Sequence, residues 1–193
     1  YMPMWSFDAD TYSKYSGSRG DNYVTTVRRN GKTETVVKTR WRPVSGDVDV
    51  YFDDLLVLAT NSLPLKFQNF LSNWELKGSM TYDERYLSGF RSELYTLSLS
   101  QGLKNAKHVM DQVIRAHVRR DIGGDHQIIT SVDTQYKDIG FQLILAPVWI
   151  SAFNYNKKTF RYVINGQNGK AYGERPWSWW KICGLVITLA TIA

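Results

Sequence analysis

The dipeptide Asn30-Gly31 stands between two β-rich runs in NYVTTVRRNGKTETVVKTRWRPV. A two-residue β-hairpin needs positive φ at both turn positions, and Asn-Gly between apolar and β-branched runs is the strongest short signal for it. The pair commits the first part of the chain to an antiparallel hairpin. GDVDVYFDDLLVLA follows, where Val48, Val50 and Phe52 alternate with Asp47, Asp49 and Tyr51. That is the pattern of a strand with one buried and one wet face.

The middle of the chain reads as helical. SLPLKFQNFLSNW offers Ser62 as a cap and Pro64 near a first turn. TYDERYLSGF suggests another short element. The strongest helical pattern runs from about Leu97 to Asp121. Leu99, Leu103, Ala106, Met110, Val113 and His117 recur three and four residues apart, as one apolar stripe, and Gly123-Gly124 closes the helix. QIITSVDTQYK, GFQLILAPVWISAFNY and TFRYVINGQ return to strand patterns, with turns in YNKKT and NGQNGK.

The expected fold class is therefore α+β: antiparallel β-hairpin regions from both ends of the chain with a helical insert that includes one long amphipathic helix. Residues 1–181 read as a single domain, β-rich over 1–60, helical over 62–122 and β-rich over 127–176. MPMWSFDADTY also resembles APVWISAFNY, with Pro3 and Trp5 matching Pro147 and Trp149. Each copy runs into a hairpin containing an Asn-Gly turn and ends at Arg42-Pro43 or Arg175-Pro176. Two related β-units flanking a helical insert fit this pattern, as does chance likeness between aromatic strands.

Residues 182–193, ICGLVITLATIA, are apolar but short of the roughly 20 residues that cross a bilayer. The preferred reading is the start of a truncated transmembrane helix; a buried terminal strand or helix is the alternative. Trp177, Trp179, Trp180 and Lys181 precede this run, where an interfacial belt belongs. Lys170 and Arg175 add positive charge on that side, which places the folded body in the cytoplasm. Cys183 is the one cysteine, so neither an intrachain disulfide nor a cysteine-based zinc site can form, and a reducing compartment fits.

Little in the chain points to catalysis. His108 and His117 lie nine residues apart, about 900° around a helix, and so cannot share a metal; His126 lies beyond the Gly-Gly break. Arg119 and Arg120 suit the negative end of the helix dipole. Asp47, Asp49, Asp53 and Asp54 form an acidic cluster, suited either to acid–base or metal work or to a wet strand face. Neither GxxxxGK nor GxSxG occurs. No catalytic residue, metal ligand or cofactor is assigned.

Charge says more. The formal net charge is +6. Arg28, Arg29, Lys32, Lys38 and Arg40 crowd the first hairpin, with Tyr23 and Trp41 among them. Basic side chains mixed with aromatics suit nucleic-acid phosphates and bases, an anionic lipid surface, or simply solvent.

PMWSFDADTYSKYSGSRG, TRWRPVSG, FDDLLV, RRDIGGDHQ and PVWISAFNYNKKTFRYVINGQNGKAYGERPWSWWKI together resemble a family of bacterial membrane-anchored proteins that begin with a zinc ribbon. Its members are often labelled primosomal protein N′ (replication factor Y)-like or superfamily II helicase-like. The resemblance covers nearly the whole chain. It implies a central domain, with zinc held only in a ribbon upstream and a membrane anchor downstream, at the cytoplasmic side of a bacterial inner membrane. The helicase label implies an ATPase, and no nucleotide-binding motif is present. The expected function is a non-enzymatic interaction or scaffold domain, with membrane, anionic lipid or nucleic acid as candidate partners. Nucleic-acid binding through the basic hairpin is the alternative, and an enzyme of unknown type comes third.

Overall fold

The protein is described here by a computed structural model covering residues 1–29, 32–64, 67–71 and 74–176. Its elements are β1 (Met2–Arg29), β2 (Lys32–Leu58), α1 (Gln68–Leu71), α2 (Leu99–Ile122), β3 (His126–Ala146), β4 (Val148–Tyr155), β5 (Lys158–Asn165) and β6 (Ala171–Gly173). Among the described residues the fold is mainly β, with two antiparallel three-stranded sheets in the orders β2-β1-β3 and β4-β5-β6 and a single long helix. This corrects the expected α+β class with its helical insert over 62–122. Pro64 and the positive-φ Gly89 interrupt that stretch, whose described residues supply α1 and the 3-10 turns Leu76–Gly78 and Glu84–Leu87 before α2 begins.

β1 is 28 residues long, against a usual strand of 3–10 residues. Three bulges in its partner strands let so long a strand pair on both sides, one of them at Thr130 of β3, between the partners of Ser16 and Gly17. Opposite Asp8, β2 supplies both Asp53 and Asp54, and Asp54 takes φ 53°. Between Asp8 and Asp10, β3 carries an extra residue at Asp138, where φ is 48°. A bulge shifts the alternation of everything beyond it. In β2, Val50 and Phe52 below the bulge and Val57 above it face the same core, although their parity differs.

That core lies between the sheet and α2. Ser98 caps the helix in a reciprocal box with Gln101, and Gly123 ends it at φ 64° with Arg119 and Arg120 in the last turn. The buried stripe is Gly102, Ala106, Met110, Ile114, Val118 and Ile122, a strict four-residue ridge. Leu99 and Leu103 pack at its margin. Val113 is 36% exposed and His117 only half-buried, so the expected stripe drifts off the packed face at these two positions. Gly102 lets the backbone approach Trp5, whose indole N–H donates to the Leu97 carbonyl at 3.1 Å.

A second core lies on the other face at the upper end of the sheet. Met2, Met4, Leu56, Leu58 and Ala146 meet Leu63, Phe67 and Leu71 there, together with Val163 from the small sheet. β4 and β5 turn at Asn156-Lys157, both with positive φ, rather than at an Asn-Gly pair. Asn165-Gly166 instead lies at the base of that hairpin. Its geometry echoes the first hairpin: the Pro147 carbonyl accepts from Gly166 N–H at 2.7 Å, just as the Pro3 carbonyl accepts from Ala59 N–H at 3.0 Å.

Among the described residues no helix is long and apolar enough to cross a membrane. This corrects the expected membrane anchoring and inner-membrane location. Trp177, Trp179, Trp180, Lys181 and the run 182–193, on which that expectation rests, lie outside the described residues.

Candidate functional site

β3 stops pairing with β1 at Gly20↔His126, and α2 ends beside it. The first hairpin does not stop there. From Asp21↔Arg40 to Arg29↔Lys32 it continues as a two-stranded ribbon without a third strand. At about 3.4 Å per residue this arm is roughly 30 Å long. Directly opposed residues share a face. One face carries Tyr23 with Lys38, Thr25 with Val36 and Val27 with Glu34; the other carries Val24 with Val37 and Thr26 with Thr35. Val24 and Val37 are 67% and 63% exposed, because nothing packs on them.

The base of the arm is fixed electrostatically. Asp21 holds Arg19 at 2.8 Å and Arg42 at 3.4 Å. The Arg19 hydrogen bond, aided by both guanidinium charges, keeps the Asp21 carboxyl below its ordinary range. The Asp125 carboxylate accepts from Asn22 N–H at 2.7 Å, which ties the arm to the loop after α2. Farther out, Arg28, Lys38 and Arg40 make no ion pair among the described residues. The Arg40 guanidinium lies over the Tyr23 ring, 5.2 Å from its centre. Arg29 and Lys32 form the last backbone pair, and their side chains lie outside the described residues. Most of the expected basic cluster is thus brought onto one projecting element.

The acids behave differently. Below the second core, the face of the large sheet away from α2 is open. Across it lie Asp10 between Tyr51 and Lys137, Tyr12 between Asp49 and Gln135, and Lys14 between Asp47 and Asp133. The carboxylates of Asp8, Asp53 and Asp54 lie within 4.8 Å of one another at the bulge, close enough to hold a cation. They already have structural work there: Asp8 accepts from Asp54 N–H at 2.8 Å and Ser6 donates to Asp54 at 3.3 Å. The negative field of this face, led by Asp53 and joined by Asp8, Asp10 and Asp54, pushes the Tyr51 phenol above its ordinary pKa. Sequence reasoning missed Asp8 because only strand pairing brings it to Asp53 and Asp54.

The histidines do not converge. His108 is exposed beside Gln112, His117 is half-buried, and the His126 ring lies 6.2 Å from that of Trp41. A cavity of about 800 Å³ opens between the upper end of β3 and the loop 74–95, lined by Trp74, Tyr82, Leu94 and Leu143 among others. The clustered aspartates are not part of its wall. Of the acids that are, Glu93 accepts from the Ser62 hydroxyl at 2.9 Å and Asp83 is paired with Arg85.

No family model matches the chain, and no solved structure matches it. A curated protein of Bacillus subtilis (strain 168), "Uncharacterized protein YdjG", is 20% identical over 184 residues, which is 94% of this chain and 52% of that protein. The chain thus spans about half the length of the curated relative it matches. This likeness speaks of neither a zinc ribbon nor a primosomal helicase, so those expected labels gain no support.

Proposed function

We propose that this chain is a non-enzymatic interaction domain whose working part is the basic β-arm. The observation that carries the reading is the arm itself: roughly 30 Å of two-stranded ribbon, unsupported on both faces, with Arg28, Lys38 and Arg40 making no ion pair among the described residues. Burying aromatic and valine side chains would drive folding, so Tyr23, Val24 and Val37 left in water suit a surface that is covered by something else. Placing cations beside them makes an acidic partner the favoured occupant. The clustered aspartates lie on open sheet surface rather than in the cavity, which weakens an acid–base reading.

Nucleic acid is the second reading, favoured by shape. A two-stranded antiparallel ribbon fits a DNA major groove, and Tyr23 beside Arg40 could stack on an unpaired base.

Fluorescence anisotropy of the chain against labelled single- and double-stranded DNA, at several salt concentrations, tests both. The arm variant Lys38→Glu/Arg40→Glu is compared with Lys157→Glu/Lys158→Glu, which makes the same charge change on the second hairpin. Binding that weakens linearly in log salt and is lost only in the arm variant supports nucleic acid. Equal loss in both variants means net charge acts rather than the arm. Absence of DNA binding sends the search to acidic protein surfaces.

A further inference from the structure

We propose that the arm's acidic partner is a second copy of this chain, with the arm of one molecule lying along the open sheet face of the next. The inference rests on the arm being the interacting element and names what it meets. Three observations carry it. The first is charge. On the open face Asp8, Asp10, Asp47, Asp49, Asp53 and Asp133 outnumber Lys14 and Lys137. The arm has the opposite balance, with Arg28, Lys38 and Arg40 projecting without ion pairs among the described residues. The second is length. From Asp8 to Ser18 the open face measures about 35 Å along β1, and the arm measures roughly 30 Å. The third is aromatic surface. Tyr51 is 65% exposed in the middle of the acidic rows, and Tyr23 is 40% exposed among the arm's cations. Each offers the other an apolar ring within complementary charge.

The arm cannot reach the open face of its own molecule, because both belong to the same two strands, β1 and β2. The contact must be intermolecular, and it joins two different surfaces. Exchanged reciprocally, such a contact closes a symmetric pair; made in one direction only, it propagates into rings or open chains. Exposed ion pairs are individually weak and screened by salt, so the assembly depends on the whole row and dissolves as ionic strength rises.

Sedimentation velocity of the whole chain, at several protein concentrations and at low and high salt, reads the association directly. The arm variant is Lys38→Glu/Arg40→Glu and the face variant is Asp47→Lys/Asp49→Lys. The wild-type protein is expected to associate at low salt and to be monomeric at high salt. Each variant alone is expected to stay monomeric, since its arm and face no longer carry opposite net charge. Mixed one to one, the variants should associate again as pairs, because the unaltered basic arm of the face variant meets the unaltered acidic face of the arm variant. Circular dichroism confirms that each variant folds; Asp10→Lys/Asp133→Lys replaces the face variant if it does not. A monomeric wild type at low salt, a face variant that associates like wild type, or a mixture of folded variants that stays monomeric would each overturn the proposal. The face variant keeps its arm, so its binding to DNA or another polyanion is read separately. Retained polyanion binding alongside a monomeric wild type sinks self-association alone and leaves the arm reading standing.

Discussion

The Tyr15 phenol, midway along β1, donates its proton to the Asp121 carboxylate in the last turn of α2. One side-chain bond thus ties the longest strand to the C-terminal end of the helix that covers it. Tyr15 is buried, and burial, followed by the hydrogen bond and charge of Asp121, pushes its pKa from 10.0 up to about 12. Replacing it with Phe keeps the ring and removes the bond. Asp121 is exposed and regains water, so Tyr15→Phe should cost only about 1 kcal/mol near neutral pH, measured as a shift in urea midpoint. The pH dependence has a definite sign. Between about pH 10 and 12 the unfolded chain releases the Tyr15 proton while the folded protein keeps it, so stability falls as pH rises through that window. Tyr15→Phe should be less sensitive over the same window than the wild type. An equal alkaline loss in both proteins would show that Tyr15 is not the group responsible.

Gly102 sets two effects against each other. Alanine in a helix interior is worth about 1 kcal/mol over glycine. Here, however, an added Cβ would sit 2.5 Å from Trp5 Cδ1, and the indole is held by its bond to the Leu97 carbonyl. Overpacking of this kind costs about 1–3 kcal/mol. Gly102→Ala should therefore lower the urea midpoint despite the better helix former, with a shift in tryptophan emission. A rise in midpoint would mean that Trp5 can move aside.

Lys157 occupies left-handed backbone at φ 61° in the β4–β5 turn, beside Asn156 at φ 49°. A residue with a Cβ pays roughly 1 kcal/mol in that region, and Asn-Gly is the preferred pair for such a turn. Lys157→Gly should raise the thermal midpoint by a few degrees at most, the gain being offset in part by the greater freedom of glycine in the unfolded chain. An unchanged or lower midpoint would count against this turn geometry.

The features legible in the sequence were local ones. The Asn30-Gly31 signal predicted the two-residue connection between β1 and β2, the alternation of Val48, Val50 and Phe52 with Asp47, Asp49 and Tyr51 gave the buried and open faces, and Gly123 marked the end of α2. The helix stripe was right at Ala106 and Met110 and drifted at Val113 and His117. A pattern averaged over three- and four-residue steps follows a straight face, whereas Ile114, Val118 and Ile122 follow one inclined ridge laid on a twisted sheet. The helical insert was expected from Ser62 as a cap and Pro64 near a first turn, signals that mark where a helix can start but not how far it runs; here Gln68–Leu71 is a single turn, with Phe67 and Leu71 in the second core. The basic cluster was visible as composition, but its projection was not. An arm exists only because β3 ends its pairing at Gly20, and a partner more than a hundred residues away sets that limit. Likewise, nothing local ties Asp8 to Asp53 and Asp54.

The central position of β1 also governs the order in which the molecule can be completed. β2 is available as soon as the first hairpin has been synthesised, but the other side of β1 must wait for β3, so Met2 has no lateral partner on that side until Ala146 has emerged. During translation a long row of β1 backbone groups stands open to any strand that reaches it first. Closing so distant a pair also slows folding. A nascent chain of this protein therefore passes through an interval of exposure set by ribosome speed, one that faster folding of the hairpin alone would not shorten.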